Sequence, residues 1–180
     1  MNVYRNRSVF KRFLRMTALS MAGLFSAMLP VSTMALDSDS QQPIDLVADR
    51  AEMDDQKGIS TYIGNVHLTQ GTLELTGDRL IIESSNGDPR VVITFGKPGR
   101  FKQRPEGKSE DVVATASRIK YQMDEERVLL DGDALIVQGG QRFRGEHITY
   151  DINADKVKAR GGSGTTGGGR VHMTLPGKQQ

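Results

Sequence analysis

The chain of 180 residues has no cysteine and no tryptophan. Without cysteine it forms no disulfide and offers no thiol for lipid attachment, so its stability must come from burial and strand pairing. A membrane-spanning run is missing as well. The apolar stretch Ala18–Leu29 is about a dozen residues long, whereas a spanning helix needs roughly 20. Basic excess is confined to the start of the chain. The net charge is +2, and residues 1–35 carry five basic and no acidic side chains, so the remainder is 2 − 5 = −3. A nucleic-acid role, which requires a basic face in the folded domain, thereby loses its support. Helical patterning is absent too: beyond Ala35 no window of 11 or more residues keeps a 3.6-residue apolar stripe.

What is present begins with an export signal. Arg5, Arg7, Lys11, Arg12 and Arg15 precede the apolar run, and "PVSTMA" follows it. Basic region, short hydrophobic core and small residues are the order of a secretory signal peptide, with cleavage predicted after Ala35. The competing reading, an uncleaved anchor, fits the short run poorly. Export without disulfides or lipidation points to a bacterial periplasm or beyond. Residues 36–42, "LDSDSQQ", are polar and predicted to be disordered.

From Pro43 onward turn signals recur every 6–12 residues between β-branched runs, the signature of an all-β domain over 43–176, with 177–180 as a tail. In "GNVHLTQGTLELTGDRLII" (64–82), Val66, Leu68, Leu73, Leu75, Leu80 and Ile82 alternate with polar residues, and "TQGT" and "TGDR" read as turns between three short strands. "ISTYIGNVHLT" reads as a strand pair around Gly64, and "KPG" as a turn between "VVITFG" and Phe101. The chain also repeats itself at an offset of 68 residues, the difference between Gly132 and Gly64. Ala48 and Ala116, Arg50 and Arg118, Gln70-Gly71 and Gln138-Gly139, and Gly77 and Gly145 fall in register. Two halves with one turn schedule predict a stacked or folded-over sheet, since one repeat alone cannot bury its apolar face.

Catalytic groups are scarce. His67 and His147 have the parity of water-facing strand positions, and no histidine–carboxylate spacing makes a metal site. The acid pairs Asp54-Asp55, Glu125-Glu126 and Asp131/Asp133 fall in predicted turns, where aspartate bonds its own backbone; glycoside hydrolysis instead needs two carboxyls facing across a cleft. Gly162, Gly164 and Gly167 spell G-x-G-x-x-G, but a strand pattern rather than a helix follows, so the segment reads as a flexible loop. No nucleophile elbow or Walker lysine is present. The apolar face, lined by Val, Ile, Leu, Met and Ala with Phe95, Phe101 and Phe143 as the phenylalanines beyond Ala35, suits a dry core or a lining for acyl chains. Periodicity does not separate the two.

"QPIDLVADRAEMD", "GNVHLTQGTLELTGDRL", "GKPGRF", "ASRIKYQMD", "LDGDALI" and "GEHITYD" together, in this order and spacing from Gln42 to Pro176, resemble the OstA-like family of periplasmic lipopolysaccharide-transport proteins. The resemblance implies a twisted, slightly open β-jellyroll of two antiparallel sheets in a V with an apolar interior, and a binding role without enzymatic activity or cofactor. It implies a bridge for lipopolysaccharide from inner to outer membrane, assembled head to tail with copies of itself. An inner-membrane-anchored relative (LptC-like) and the N-terminal domain of an outer-membrane barrel translocon (LptD-like) would be its partners. By position in the family's motifs, Ile44, Phe101, Tyr121 and Met123 are lipid-contacting; alternation adds Leu46, Met53, Leu68, Ile136 and Phe143. The free edges would be "PIDLVA" and "RVHMTL", with the latter's register left open by "GGSGTTGGG". About eight strands at ~4.8 Å give each copy a length near 40 Å. The rival functions are a structural β-solenoid or adhesin module and a periplasmic polysaccharide-acting enzyme.

Overall fold

The computed structural model describes residues 38–162 and 169–177. The predicted signal peptide with residues 36–37, the middle of the glycine-rich loop and residues 178–180 lie outside the described residues. Ten strands follow a short 3-10 turn at Asp39–Gln41: β1 (Asp45–Val47), β2 (Arg50–Asp54), β3 (Ile59–Gln70), β4 (Leu73–Ser85), β5 (Asp88–Gln103), β6 (Val112–Gln122), β7 (Arg127–Gln138), β8 (Gln141–Asp151), β9 (Lys156–Arg160) and β10 (His172–Thr174). They form one antiparallel sheet in the order β1-β3-β4-β5-β6-β7-β8-β10, with β2 also on β3 and β9 also on β8. Among the described residues the order is open, because β1 and β2 pair only with β3, and β9 and β10 only with β8.

The long strands all break their register at one level. The shifts lie between Ile63 and Val66, Thr76 and Arg79, Phe95 and Gly99, Thr115 and Arg118, and Asp131 and Ala134. At this level β3 carries Gly64 at φ 84° with Asn65 at 44°, and β7 carries Gly132 at φ 79° with Asp133 at 49°. A left-handed glycine in a strand is a bulge signature, and a bulge bends its strand and sharpens the local twist. A whole row of bulges therefore makes a corner across the sheet. Phe101 stands opposite Ala114, and Tyr121 lies 121 − 114 = 7 residues further along β6. In a flat strand that is about 24 Å. The two rings are 5.9 Å apart, edge to face, so the sheet is folded over on itself.

The two expected sheets are thus the two arms of one continuous sheet. "TGDR" is not a turn but the bulged middle of β4, "ISTYIGNVHLT" is one strand rather than two, and "KPG" lies within β5. Each segment carries a glycine, which marks a turn and a strand irregularity alike; only Gly64 has a positive φ, whereas a Cβ at Gly77 would meet the Phe95 carbonyl oxygen at 2.5 Å. Leu75 and Leu80 are five residues apart, an odd number that would put them on opposite faces of a regular strand. The bulge adds the residue that returns both to the interior.

The repeat is structural. β3 and β7 run over positions 59–70 and 127–138, which superimpose at the offset of 68 without a gap. β1 and β2 together occupy the place of β6, broken where β6 has its bulge. The last strand departs from this rule. Phe101 faces Leu75 in the first half, which places its counterpart at 101 + 68 = 169, whereas Met173 faces Phe143. Thr94 and Phe101 are 7 residues apart while their counterparts by pairing, Ala159 and Met173, are 14 apart, so the glycine-rich segment holds seven extra residues and β9 pairs three residues early.

The start of the domain is also ordered where disorder was expected. The Asp39 carboxylate accepts the Thr72 backbone N–H at 2.6 Å, the Thr72 hydroxyl at 2.7 Å and the Gln103 amide at 2.9 Å. Three donors on one carboxylate fix Ser38–Gln42 against the β3–β4 turn, which composition alone does not reveal.

Candidate functional site

In an antiparallel ladder directly opposed residues point to the same face, so the pairings give continuous rows of side chains across the sheet. One inner row in the first arm reads Leu46, Leu68, Leu75, Phe101, Ala114, Ile136, Phe143, Met173. Two inner rows in the second arm read Ala51, Tyr62, Leu80, Thr94, Ile119, Leu130, Ile148, Ala159 and Met53, Ser60, Ile82, Val92, Tyr121, Val128, Tyr150, Val157. Every row crosses eight strands, from one open edge of the sheet to the other.

The structure brings nearly all of the sequence-derived residues into this interior. Leu68, Phe101, Tyr121 and Ile136 are buried in the core, while Ile44, Leu46, Met123 and Phe143 are partly buried and packed against it. Met53 is the exception, 66% exposed. Alternation put it on the correct face, but β2 is an edge strand and no side chain of the opposite arm covers it. Leu80, Ile119, Leu130, Ile148 and Tyr150 belong to the same lining and were missed as site residues. Their signal was the same alternation, read strand by strand with a change of parity at each bulge.

The interior is filled by its own side chains, with spaces at the rims where the arms meet. One space of about 360 Å³ is lined by Lys108, Gln138, Phe143, Asp155 and Val157. Another of about 90 Å³ lies among Asp39, Gln103, Tyr121, Met123 and Ile152. Among the described residues two buried side-chain polar atoms have no partner, the Thr94 hydroxyl and the Gln103 amide oxygen.

Polar contacts close the seam opposite the corner. Asp155, in the β8–β9 turn, accepts Lys108 Nζ at 2.8 Å from the β5–β6 loop, Gln138 Nε2 at 2.5 Å from the end of β7, and the Tyr150 hydroxyl at 3.4 Å. The Lys108 and Gln138 hydrogen bonds hold the Asp155 carboxyl below the usual carboxylate range. Burial, with the charges of Glu126 and Asp39 near it, pushes the Tyr121 phenol up to about 12, so it stays neutral in the interior. Burial does the same for Tyr150.

The acid pairs carry no cleft. Asp54 bonds Lys57 in its turn, and Arg127 meets Glu125. Asp131 is not in a turn as expected but in β7 at the bulge, where it accepts Arg118 at 3.0 Å and meets His147 at 2.9 Å on the outer face. No group of three or more metal-ligating side chains occurs among the described residues.

Three comparisons bear on this lining. Residues 45–156 match the family described as LptA/(LptD N-terminal domain) LPS transport protein. The chain is 36% identical over 162 residues to the lipopolysaccharide export system protein LptH of Pseudomonas aeruginosa, covering 88% of this chain and 93% of that one. It is 30% identical over 140 residues to the lipopolysaccharide export system protein LptA of Escherichia coli K12, covering 77% and 74%. The crystal structure of LptH, described as the LptA homologous periplasmic component of the lipopolysaccharide transport device of Pseudomonas aeruginosa, superimposes with a TM-score of 0.72 at 34% identity. It covers 78% of this chain and 99% of that one.

Proposed function

Because the chain belongs to the family of LptA and the LptD N-terminal domain, we propose that it is a periplasmic carrier that passes lipopolysaccharide from the inner to the outer membrane along its folded sheet. The observation that carries this reading is the inner row of the first arm, Leu46 to Met173, which is apolar from one open edge to the other. A row of Leu, Phe, Ala, Ile and Met offers acyl chains contact without directional demand. Each methylene taken from water contributes about 0.8 kcal/mol. Sugars and phosphates remain in water outside the seam.

Acyl chains enter when the arms separate along the seam held by Asp155, since the resting interior is occupied by side chains. Separation trades side-chain contacts between the arms for contacts with lipid, so its net cost is small once lipid is present. Ile44, Leu46, Met53, Leu68, Phe101, Tyr121, Met123, Ile136 and Phe143 are the contacts in this reading. The free edges at β1/β2 and β9/β10 join successive copies, and the same edges suit the anchored LptC-like relative and the LptD-like domain at the two ends. The work is binding and passage rather than catalysis, and the energy for movement comes from a partner.

The close packing of the inner rows favours one other reading, a structural module with a permanently dry core. Binding separates the two. Purified protein should retain labelled lipopolysaccharide, and acylated lipid should displace it while the deacylated sugar core does not. No retention, or equal displacement by the deacylated core, would reject the acyl-chain carrier.

A further inference from the structure

Of the ion pairs among the described residues, only Lys108–Asp155 joins the two arms, while the others lie within one arm or at the bulged corner. Lys108 stands in the β5–β6 loop at the rim of the first arm, and Asp155 in the β8–β9 turn at the rim of the second. The Gln138 amide, also from the rim of the first arm, reaches the other oxygen of the same carboxylate. Two donors of one arm thus converge on a single oxyanion contributed by the other. Beside them lies the space of about 360 Å³, whose apolar lining is Phe143 and Val157, both members of inner rows.

We infer that Lys108 and Gln138 form a subsite for a phosphate group on the sugar of the acylated cargo, and that the Asp155 carboxylate stands in for this phosphate while the seam is closed. The inference rests on the carrier reading above and deepens it, by assigning residues that recognise the polar part of the lipid. A phosphate offers the oxygens that both donors already hold, with more charge than a carboxylate. The Lys108 and Asp155 side chains are 46% and 38% exposed, so water screens their attraction and an incoming anion can exchange with it. Once the phosphate sits between Lys108 and Gln138, Asp155 faces a like charge across the seam, and the arms part. Asp155 keeps the Tyr150 hydroxyl at 3.4 Å, which comes from its own arm. The opened rim uncovers Phe143 and Val157, where an acyl chain on the same sugar enters the inner rows. Recognition of the headgroup and opening of the groove are then one event. Glu110 lines the same space, and no ion pair among the described residues uses it. Its charge opposes an anion there, so the lysine decides whether the phosphate binds.

The rim space of about 90 Å³ in the other half has no such exchange. Asp39, Glu106 and Glu126 line it, with Arg104 as the cation among its lining residues. Arg104 is held at 2.8 Å by Asp111 of its own arm. The phosphate subsite therefore belongs to the rim of Lys108 and Asp155 alone.

Binding of labelled lipopolysaccharide to the purified protein tests this, with the lipid either intact or stripped of its phosphates while keeping its acyl chains. The parent should prefer the intact form about tenfold, the scale of one hydrogen bond between charged groups. Lys108→Gln should bring the two forms level by weakening the intact one, and Lys108→Arg should keep the preference. Asp155→Asn should tighten both forms, because a neutral amide competes less for the donors. The urea midpoint of Lys108→Gln should stay close to that of the parent, since the pair is exposed. Inorganic phosphate, which lacks the acyl chain, should not displace the intact form at matched concentration. An unchanged preference in Lys108→Gln, or no preference in the parent, would overturn the phosphate subsite while leaving the carrier standing. No gain in Asp155→Asn would overturn the stand-in role of the carboxylate. Displacement by inorganic phosphate as effective as by the intact lipid would make this a site for free anions and overturn the lipid assignment. Retention of neither form by the parent would instead reject the carrier reading.

Discussion

Phe101→Ala should lower the unfolding free energy by about 3–5 kcal/mol, the range for emptying a buried aromatic site. Phe101 is fully buried and lies in the inner row of the first arm. Its ring meets Tyr121 of the opposite arm edge to face, a contact worth about 0.5–1.5 kcal/mol beyond simple burial. The substitution thus weakens the fold-over itself rather than one arm. Urea unfolding should show a lower midpoint with an unchanged slope. The carrier reading adds a second expectation. Lipopolysaccharide should recover more stability in the variant than in the parent, because an acyl chain takes the vacated volume and ligand binding to the folded state raises its stability. A permanently dry core predicts the same loss with and without lipid.

Ile136→Asp should be more damaging. Ile136 is 1% exposed, between Ala114 and Phe143 in the same row, with no basic side chain facing the interior beside it. An unpaired carboxylate there costs about 3–5 kcal/mol. The sign with pH follows from the buried group. Its folded pKa is raised above the unfolded value near 4, so the penalty is absent below that pH and grows as pH rises through and above it. Urea midpoints of the variant should therefore approach those of the parent at acidic pH and separate from them at neutral pH. Leu135→Asp, one residue away on the outer face and opposite Arg144, should change stability by about 0.5 kcal/mol or less. Equal losses at 135 and 136 would mean that the arms do not face each other.

Much of this interior was legible because a strand reveals its faces by alternation. Val66, Leu68, Leu73, Leu75, Leu80 and Ile82 were singled out from spacing alone, and all are buried. The repeat was legible through glycines in register, since Gly64 and Gly132 hold the same left-handed bulge. The corner was not. Its residues look like turns, and only the alignment of shifts over neighbouring strands shows that the chain bends and continues. Met53 illustrates a second limit: alternation assigns a face but not whether anything covers it. Asp39 illustrates a third. A polar segment reads as disordered until the donors of Thr72 and Gln103, far along the chain, are brought to its carboxylate. The last strand needed the structure because seven extra residues in the glycine-rich segment, less three lost at the β8–β9 turn, shift Met173 by four against the repeat.

The central claim is that lipid travels on the inner face and not the outer one. Photo-crosslinking residues placed singly at positions 121, 123 and 136, inside, and at 120, 122 and 135, outside, in cells making lipopolysaccharide, test it most directly. Tyr121 and Ile136 are buried in the core and Met123 packs against it, whereas Lys120 and Leu135 belong to outer rows. Leu135 controls for greasiness, being as apolar as Ile136 and one residue away. The carrier account predicts lipopolysaccharide adducts at 121, 123 and 136 and none at 120, 122 and 135. Adducts of equal yield at all six positions, or at the outer three alone, would contradict it.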